Sequence, residues 1–417
     1  MLVKFFYMNN LVLLIISFLI GQGAMFLAQT FLLTNGDSER VASFGLNFSF
    51  LILFVQVIES GGTTILARRV IKALPNDKTL STLSQYYTDL CVYRLILAAS
   101  LLIAGLIYLV CTQTKSSFSY QFFFYSFPVL IISSFNLMGY LDGLRKSGLS
   151  GIVNGIPHLV AAIALLATYR LDSATAAIVL GCSVTLAFLT SLVLQYYFLV
   201  RETVKLKFLQ PSIDGVFQAS KSGLSMLLVL SPGQVFQRLQ LLLCNTFLGL
   251  EVTSYFIYAK QITSGCNQMV AFSRRVEFPS LVEKILSERQ SILTCFVLQK
   301  TSYLIAVSLF FFIFLLSGLV EYLNLESWYQ NIWVVRVVCV TILTETFSGA
   351  FAQVAVAAGY FLDVGRIRVL AVIVSSFLSY FAVMHLGVYG LVVSELLIHV
   401  LVTSLSIRLL IKKCILQ

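Results

Sequence analysis

The chain is built from a succession of long apolar segments. The length of each segment is close to what an α-helix needs to cross about 30 Å of hydrocarbon, which is about 20 residues at 1.5 Å per residue. The segments are 11–33, 42–66, 90–111, 121–141, 152–169, 174–200, 223–247, 251–272, 301–320, 331–358, 367–386 and 388–411. The pattern therefore predicts an all-α integral membrane protein with about 12 transmembrane helices.

Composition supports this prediction. Hydrophobic residues make up 59% of the 417 positions and charged residues 11%, against about 45–50% and about 25% in soluble domains. The eight cysteines are scattered without C-x-x-C spacing, which argues against a disulfide framework and a metal site. The sequence contains no P-loop or Gly-rich nucleotide fingerprint, so we expect neither ATP hydrolysis nor a bound cofactor.

The net charge of +10 is distributed unevenly along the chain. With the N-terminus in the cytoplasm, 22 of the 28 Lys and Arg residues lie on the cytoplasmic side or at the cytoplasmic ends of the apolar segments, three lie deep within the segments, and Arg40, Lys115 and Arg170 lie outside. This is the asymmetry of the positive-inside rule. It predicts cytoplasmic termini and no nucleic-acid partner, and we interpret the first apolar segment as a retained helix rather than a signal peptide.

Short patterns recur in the same order in the two halves of the sequence. GYLDGLRKSG begins at Gly139 and GYFLDVGRIR begins at Gly359, 359 − 139 = 220 residues later. LARRV recurs as FSRRV, with Arg68 and Arg274 separated by 274 − 68 = 206 residues. Gly-Gln occurs at 21–22 and again at 233–234. This recurrence predicts an internal duplication into two six-helix bundles, 1–205 and 206–417.

An even number of helices in each half gives both halves the same orientation, so the predicted repeat is a parallel pseudo-two-fold. Transporters of this type bind substrate between the halves and alternate access by rocking them. In the repeated loops, glycine permits an abrupt turn and the charged residues anchor that turn at the cytoplasmic face. The predicted hinge residues are Gly139, Asp142, Gly143, Arg145, Asp363, Gly365 and Arg366.

Four segments resemble a known transporter family. FQRLQLLLCNTFLGLEVTSYFIYAKQI, from Phe236 to Ile262, is similar to the helix 7–8 signature of the polysaccharide-transporter branch of the multidrug/oligosaccharidyl-lipid/polysaccharide (MOP) exporter superfamily. VIESGGTTILARRV, from Val57 to Val70, is similar to the end of helix 2 in that branch, and GLRKSG and VGRIR resemble its Gly-Arg loops. Gln237 stands where an acidic residue is usual.

The resemblance implies a MATE-like fold and an O-antigen-type flippase of the bacterial inner membrane. Such a protein moves an undecaprenyl-pyrophosphate-linked oligosaccharide from the cytoplasmic to the periplasmic leaflet by alternating access. It implies membrane lipid and other polysaccharide-assembly proteins as partners. Proton and sodium gradients are the candidate sources of energy.

Three cations lie deep within the apolar segments, where an ionisable residue costs about 2.5–3.5 kcal/mol on insertion scales. Arg238, Lys260 and Arg336 lie at a common depth, roughly 10–14 Å below the periplasmic surface. We predict that they face a water-filled cavity that receives the pyrophosphate group. Gln234 and Asn245 share the helical stripe of Arg238 and complete the predicted cationic site. Snorkelling to the interface and internal ion pairing are the alternatives.

Two further features extend the predicted cavity. Lys260, Ser264 and Asn267 form a second polar stripe on the next helix. Pro232 and Gly233 are expected to open the backbone of the seventh helix beside Gln234.

Three intramembrane acids are candidates for ion coupling. Glu345 shares a helical stripe with Thr341 and Ser348, and it either carries a coupling proton or pairs with a cation on another helix. Glu59 and Glu395 are further coupling candidates, with a structural hydrogen bond as the alternative for each.

Two other functions compete with the flippase. A MATE-like antiporter of drug or metabolite cations needs acidic residues in its cavity, whereas the first apolar segment contains Gln22 and Gln29 but no acid. A membrane glycan polymerase or acyltransferase needs a large external loop or a His-rich surface. The longest predicted outer connections, 112–120 and 320–330, contain no His. We therefore expect a transporter and not an enzyme.

Overall fold

The computed structural model describes residues 2–35, 37–73, 79–112, 117–202, 207–287, 292–322 and 326–413. These residues form helices and short connections, and no strand occurs among them. Four cations of the topology argument, Lys78, Lys115, Lys205 and Arg289, lie outside the described residues.

The chain divides into two compact units, Met1–Leu224 and Ser225–Gln417. The first unit contains α1 Leu2–Thr34, α2 Ser38–Glu59, α3 Gly62–Ala73, α4 Thr79–Thr112, α5 Phe118–Ser126, α6 Pro128–Ser134, α7 Met138–Gly143, α8 Ser147–Ala167 and α9 Ser173–Arg201. Helix α10, Ile213–Ser287, begins in this unit. The second unit contains the rest of α10, α11 Ile292–Leu298, α12 Lys300–Tyr322, α13 Glu326–Ala358, α14 Phe361–Leu386 and α15 Val388–Lys412.

The two compact units meet after Leu224, whereas the predicted six-helix bundles meet after residue 205. The intervening segment is held to the first unit by α4. Asp89 accepts a hydrogen bond of 2.9 Å from the backbone N–H of Ser212, and Gln85 donates one of 2.8 Å to the carbonyl of Gln210.

Eleven helical spans among the described residues are long and apolar enough to cross a membrane. Some consist of consecutive short helices: α2 and α3 form the span Ser43–Ala73, and α5 to α7 form Phe118–Gly143. The part of α10 after Gly249, residues 250–287, is helical but is not among the eleven, and polar residues such as Lys260, Asn267 and Gln268 lower its hydropathy. The prediction of an all-α membrane protein is confirmed.

Helix α10 changes direction at a glycine and not at its first proline. Gly249 has φ +83° and is the position in α10 with non-helical backbone angles. The expectation that Pro232 and Gly233 open the backbone is wrong, because the helix continues through both residues. Pro232 is buried, and as a proline it removes one helical hydrogen bond without interrupting the helix. Below, the first arm of α10 means Ile213–Gly249, and the second arm means residues 250–287.

The repeated loops do not form equivalent turns at the residues that the sequence pattern aligns. After α7 the left-handed residue is Arg145, with φ +61°, whereas after α13 it is Gly359, with φ +97°. The two turns are therefore 359 − 145 = 214 residues apart, not 220. Gly139 lies inside α7, whereas Gly359 lies between two helices.

Glycines predicted as hinge residues instead permit close helix packing. A Cβ atom on Gly139 would lie 2.6 Å from the carbonyl oxygen of Thr63, and one on Gly143 would lie 2.6 Å from Cβ of Val70. On Gly365, inside α14, it would lie 2.8 Å from Cβ of Leu228. The remaining predicted residues are distributed between helices and the turn: Asp142 lies in α7, Arg145 in the turn, and Asp363 and Arg366 in α14.

Each unit has its own apolar core. The first is rich in phenylalanine and includes Phe44, Phe122 and Leu180, and the second includes Phe256, Val338 and Leu391. These cores set the positions of the polar side chains described next.

Outside the spans, Asp172 caps α9 by accepting a 2.9 Å hydrogen bond from the N–H of Thr175, and this bond lowers the pKa of its carboxyl group.

Candidate functional site

The clearest charged contact in the second unit joins the second arm of α10 to α15. The ammonium group of Lys260 forms an ion pair with Oε2 of Glu395, and the two side chains are 14% and 10% exposed. The ring of Phe256 lies 5.4 Å from the same nitrogen. Of the interpretations left open for Lys260, this is the internal ion pair. Glu395 therefore has a cationic partner. Its predicted alternatives were ion coupling and a structural hydrogen bond, and this contact is an ion pair as well as a hydrogen bond.

Arg238 lies in a different environment. It is exposed on the first arm of α10, and the predicted stripe companions Ser231, Gln234 and Asn245 are exposed with it. Gln240, two residues further along, points elsewhere and donates a 2.8 Å hydrogen bond to the carbonyl of Leu391. The first arm of α10 thus presents one face to α15 and a polar face outward. In the described part of the chain, no carboxylate lies within ion-pair distance of Arg238.

Arg336 is half-buried between α12 and α13. Its Nε donates a 2.8 Å hydrogen bond to the hydroxyl of Ser317, and its guanidinium carbon lies 5.7 Å from the ring of Phe314. Both partners belong to α12. The structure therefore places Arg336 in contact with a neighbouring helix.

Glu345 lies on α13 and interacts with the second arm of α10. Its carboxylate accepts a hydrogen bond from the side-chain amide of Asn267. Arg274, two helical turns after Asn267, donates bonds of 3.2 Å and 3.1 Å to the backbone carbonyls of Glu345 and Thr346. The carboxylate partner of Glu345 among these contacts is a neutral amide, so the prediction that it carries a proton stays open.

A histidine completes the polar contacts of α15. His399 lies on α15, one turn after Glu395. Its Nδ1 lies 3.1 Å from the hydroxyl of Ser348 on α13. The second arm of α10, α13 and α15 are thus joined by three polar contacts: Lys260 with Glu395, Asn267 with Glu345, and Ser348 with His399.

The first unit contains a buried polar cluster of its own. The carboxylate of Glu59 accepts a hydrogen bond from the side-chain amide of Asn136. Arg94, which is 0% exposed, donates a 3.1 Å bond to the backbone carbonyl of Asn136. Asn136 lies between α6 and α7, where the span leaves helical geometry.

Sequence reasoning missed Arg94, Asn136 and Arg274 as site residues. Arg94 and Arg274 were counted as cytoplasmic cations because each lies near the end of an apolar segment. In the structure each arginine lies against a glycine, since Gly62 and Gly349 are so close to the guanidinium groups of Arg94 and Arg274 that a Cβ atom on either would overlap them. That pairing is invisible without the fold.

No model of a protein family matches the sequence, and no curated protein matches it. Solved structures match along nearly the whole chain. An outward-facing multidrug resistance MATE family transporter of the MOP superfamily matches with a TM-score of 0.75 at 16% identity, covering 97% of this chain and 95% of that one. A MATE transporter in the bent conformation gives 0.75 at 16% identity over 99% and 98%.

A third match is a MOP superfamily transporter from Pyrococcus furiosus, described by a reverse polarity of its binding pocket that suggests a different function. It gives a TM-score of 0.65 at 15% identity over 97% of this chain and 96% of that one. Matches at this level of identity establish the fold. The chain is a multi-pass membrane protein with the fold of the MATE transporters of the MOP superfamily.

Proposed function

We propose that the protein is a transporter that flips a lipid-linked oligosaccharide carried on undecaprenyl pyrophosphate. Transfer runs from the cytoplasmic to the periplasmic leaflet of a bacterial inner membrane by alternating access, with both termini in the cytoplasm. The fold supports a transporter, since the structures that match it are transporters. The resemblance of residues 236–262 to the polysaccharide-transporter branch supports the substrate class.

The observation that carries this proposal is the exposed Arg238 in the middle of a membrane span. It lies 249 − 238 = 11 residues before the break at Gly249, or about 16 Å along the helix. An arginine at this depth is costly in lipid and is typical of a water-filled pathway. Because no carboxylate of the described residues pairs with it, an anionic substrate group is a suitable partner, and a guanidinium binds phosphate oxygens in a bidentate manner.

Two neutral side chains support the same reading. Gln234 and Asn245 lie on the exposed face with Arg238, and their amides offer donors and acceptors that suit sugar hydroxyls and phosphate oxygens. The transporter from Pyrococcus furiosus, described by the reverse polarity of its binding pocket, is consistent with one fold serving substrates of different charge.

An antiporter of drug or metabolite cations is the second candidate, because one match is a multidrug resistance transporter and acids lie within the spans. Glu59, Glu345 and Glu395 would have to bind the cation. Each already accepts a hydrogen bond or ion pair from a side chain of its own unit, which makes them less suited to this task than Arg238 is to an anion.

The test is surface polysaccharide in cells that depend on this protein. Arg238→Gln should abolish surface glycan at normal protein abundance, and Arg238→Lys should retain part of it, because the charge remains and the bidentate fork is lost. Arg408→Gln, which neutralises an exposed arginine on α15, is the matched control and should leave glycan unchanged. Normal glycan in Arg238→Gln cells together with altered resistance to cationic drugs would favour the antiporter.

A further inference from the structure

The ion pair between Lys260 and Glu395 differs in kind from the contacts of Arg274 and Arg368 in the same unit. Arg274 and Arg368 donate to backbone carbonyls, of Glu345 and Thr346 in one case and of Val229 in the other. Backbone carbonyls of packed helices cannot move away from their partners. Lys260 instead contacts one oxygen of one side chain, and a side chain can change rotamer.

Lysine is well suited to exchanging one anionic partner for another. Its ammonium group is a compact point charge with three donors on a flexible stem, whereas arginine requires a planar fork to be matched. Neither side chain of the pair is completely enclosed, since Lys260 is 14% and Glu395 is 10% exposed. The pair is therefore partly accessible from outside the packed helices.

The polar stripe of the second arm of α10 is covered by acids from two different helices. Glu395 on α15 contacts Lys260, and Glu345 on α13 contacts Asn267. Both stripe residues are donors, and both carboxylates are acceptors. A substrate carrying phosphate oxygens would present the same acceptor chemistry to the same donors.

We infer that Glu395 is an internal competitor that occupies Lys260 until the anionic group of the substrate displaces it. This inference rests on the proposed function and assigns Lys260 and Glu395 to regulation of substrate binding. The measured affinity for the anion is then the intrinsic affinity multiplied by the fraction of molecules in which the pair is open. A pair that is closed nine-tenths of the time lowers the affinity for the anion by about tenfold.

The experiment measures binding of geranylgeranyl pyrophosphate to the full-length protein purified in detergent, by isothermal titration calorimetry. Inorganic pyrophosphate in a parallel titration separates recognition of the anion from recognition of the lipid. Glu395→Gln, which keeps the shape and removes the charge, should bind both probes about tenfold more tightly than the original protein. The double variant Lys260→Gln with Glu395→Gln should bind no more tightly than Lys260→Gln alone, because the competitor acts only through Lys260.

Glu202→Gln is the matched control, because it removes the acid of the 3.1 Å ion pair with Lys146 in the first unit and should leave both affinities unchanged. Glu395→Asp shortens the competitor without removing its charge, so its affinity should lie between those of the original protein and Glu395→Gln. This variant decides the matter if Glu395→Gln does not fold.

The failures of the two proposals differ. Equal or weaker binding by Glu395→Gln, or by Glu395→Asp where the glutamine variant is not folded, would overturn the competition while the flippase proposal stands on the binding itself. No binding of geranylgeranyl pyrophosphate by the original protein or by either Glu395 variant would overturn both.

Discussion

The two units differ in how their aligned segments are divided into helices. In the first, the span Phe118–Gly143 is divided into α5, α6 and α7, and the span Ser43–Ala73 is divided at Ser60 and Gly61. In the second, the corresponding segments are the continuous helix α13 and the second arm of α10. A repeat in the sequence thus does not require that the copies share the same helix geometry.

The polar contact between these segments is present in both units, with its partners exchanged. In the first unit the acid, Glu59, lies on α2 and the amide, Asn136, follows α6. In the second unit the amide, Asn267, lies on α10 and the acid, Glu345, lies on α13. The offsets are close, 267 − 59 = 208 and 345 − 136 = 209. What each unit retains is one carboxylate–amide bond, rather than a particular residue at a particular position.

The largest difference between the units should come from their buried arginines. Arg94→Met removes the donor to the carbonyl of Asn136, which lies where the span leaves helical geometry, so we expect a loss of about 1–3 kcal/mol in the free energy of unfolding. Arg274→Met should cost less, because the carbonyls of Glu345 and Thr346 lie within a continuous helix and have partners there. Chemical denaturation of the purified variants measures both, with Arg408→Met as the control. An equal cost would show that the helix break has no bearing on the arginine.

The next effect tests the exchange of partners. Glu59→Asn and Asn136→Glu should each destabilise the protein, and the double variant should recover about 1–2 kcal/mol of the sum, because it rebuilds in the first unit the arrangement found in the second. A double-mutant cycle of unfolding free energies measures this coupling. Strictly additive losses would mean that the two contacts are unrelated in their energetics.

A smaller effect is expected at the glycines beside the arginines. Gly62→Ala and Gly349→Ala place a methyl group against Arg94 and Arg274, and we expect each to cost about 1 kcal/mol, the lower end for overpacking, because a long arginine side chain can shift. Gly233→Ala is the control, because nothing lies within 4 Å of its added Cβ, and replacing a helical glycine by alanine should stabilise by up to about 1 kcal/mol. Melting temperatures of the three variants decide whether the two arginine sites are equally tight.

The smallest effect concerns the two turns. Arg145→Gly should stabilise the first turn and Gly359→Ala should destabilise the second, each by about 1 kcal/mol or less, because both positions have positive φ. Changes of the same sign in the two variants would show that positive φ does not set the stability of these turns.

Much of the architecture could be predicted from single residues and their spacing. Apolar segment length predicted the membrane helices, since the thickness of hydrocarbon sets a minimum number of residues. The recurrence of Gly-Gln and of the Arg pairs predicted a duplication. The repeated Gly-Tyr pattern, however, aligned Gly139 with Gly359, and these two residues occupy different local structures. Glycine supports both a turn and close helix packing, and sequence spacing does not distinguish the two.

The sequence by itself determined that this chain is a helical membrane protein with charged residues at membrane depth, because hydropathy and charge are properties of individual residues. Only the tertiary structure decided which of those charges have partners. Lys260 and Glu395 are 395 − 260 = 135 residues apart and meet through the packing of two helices, whereas Arg238 on the first arm of the same helix is exposed. A partner's distance in space depends on how helices pack, and the same polar stripe can face an acid, a carbonyl or water.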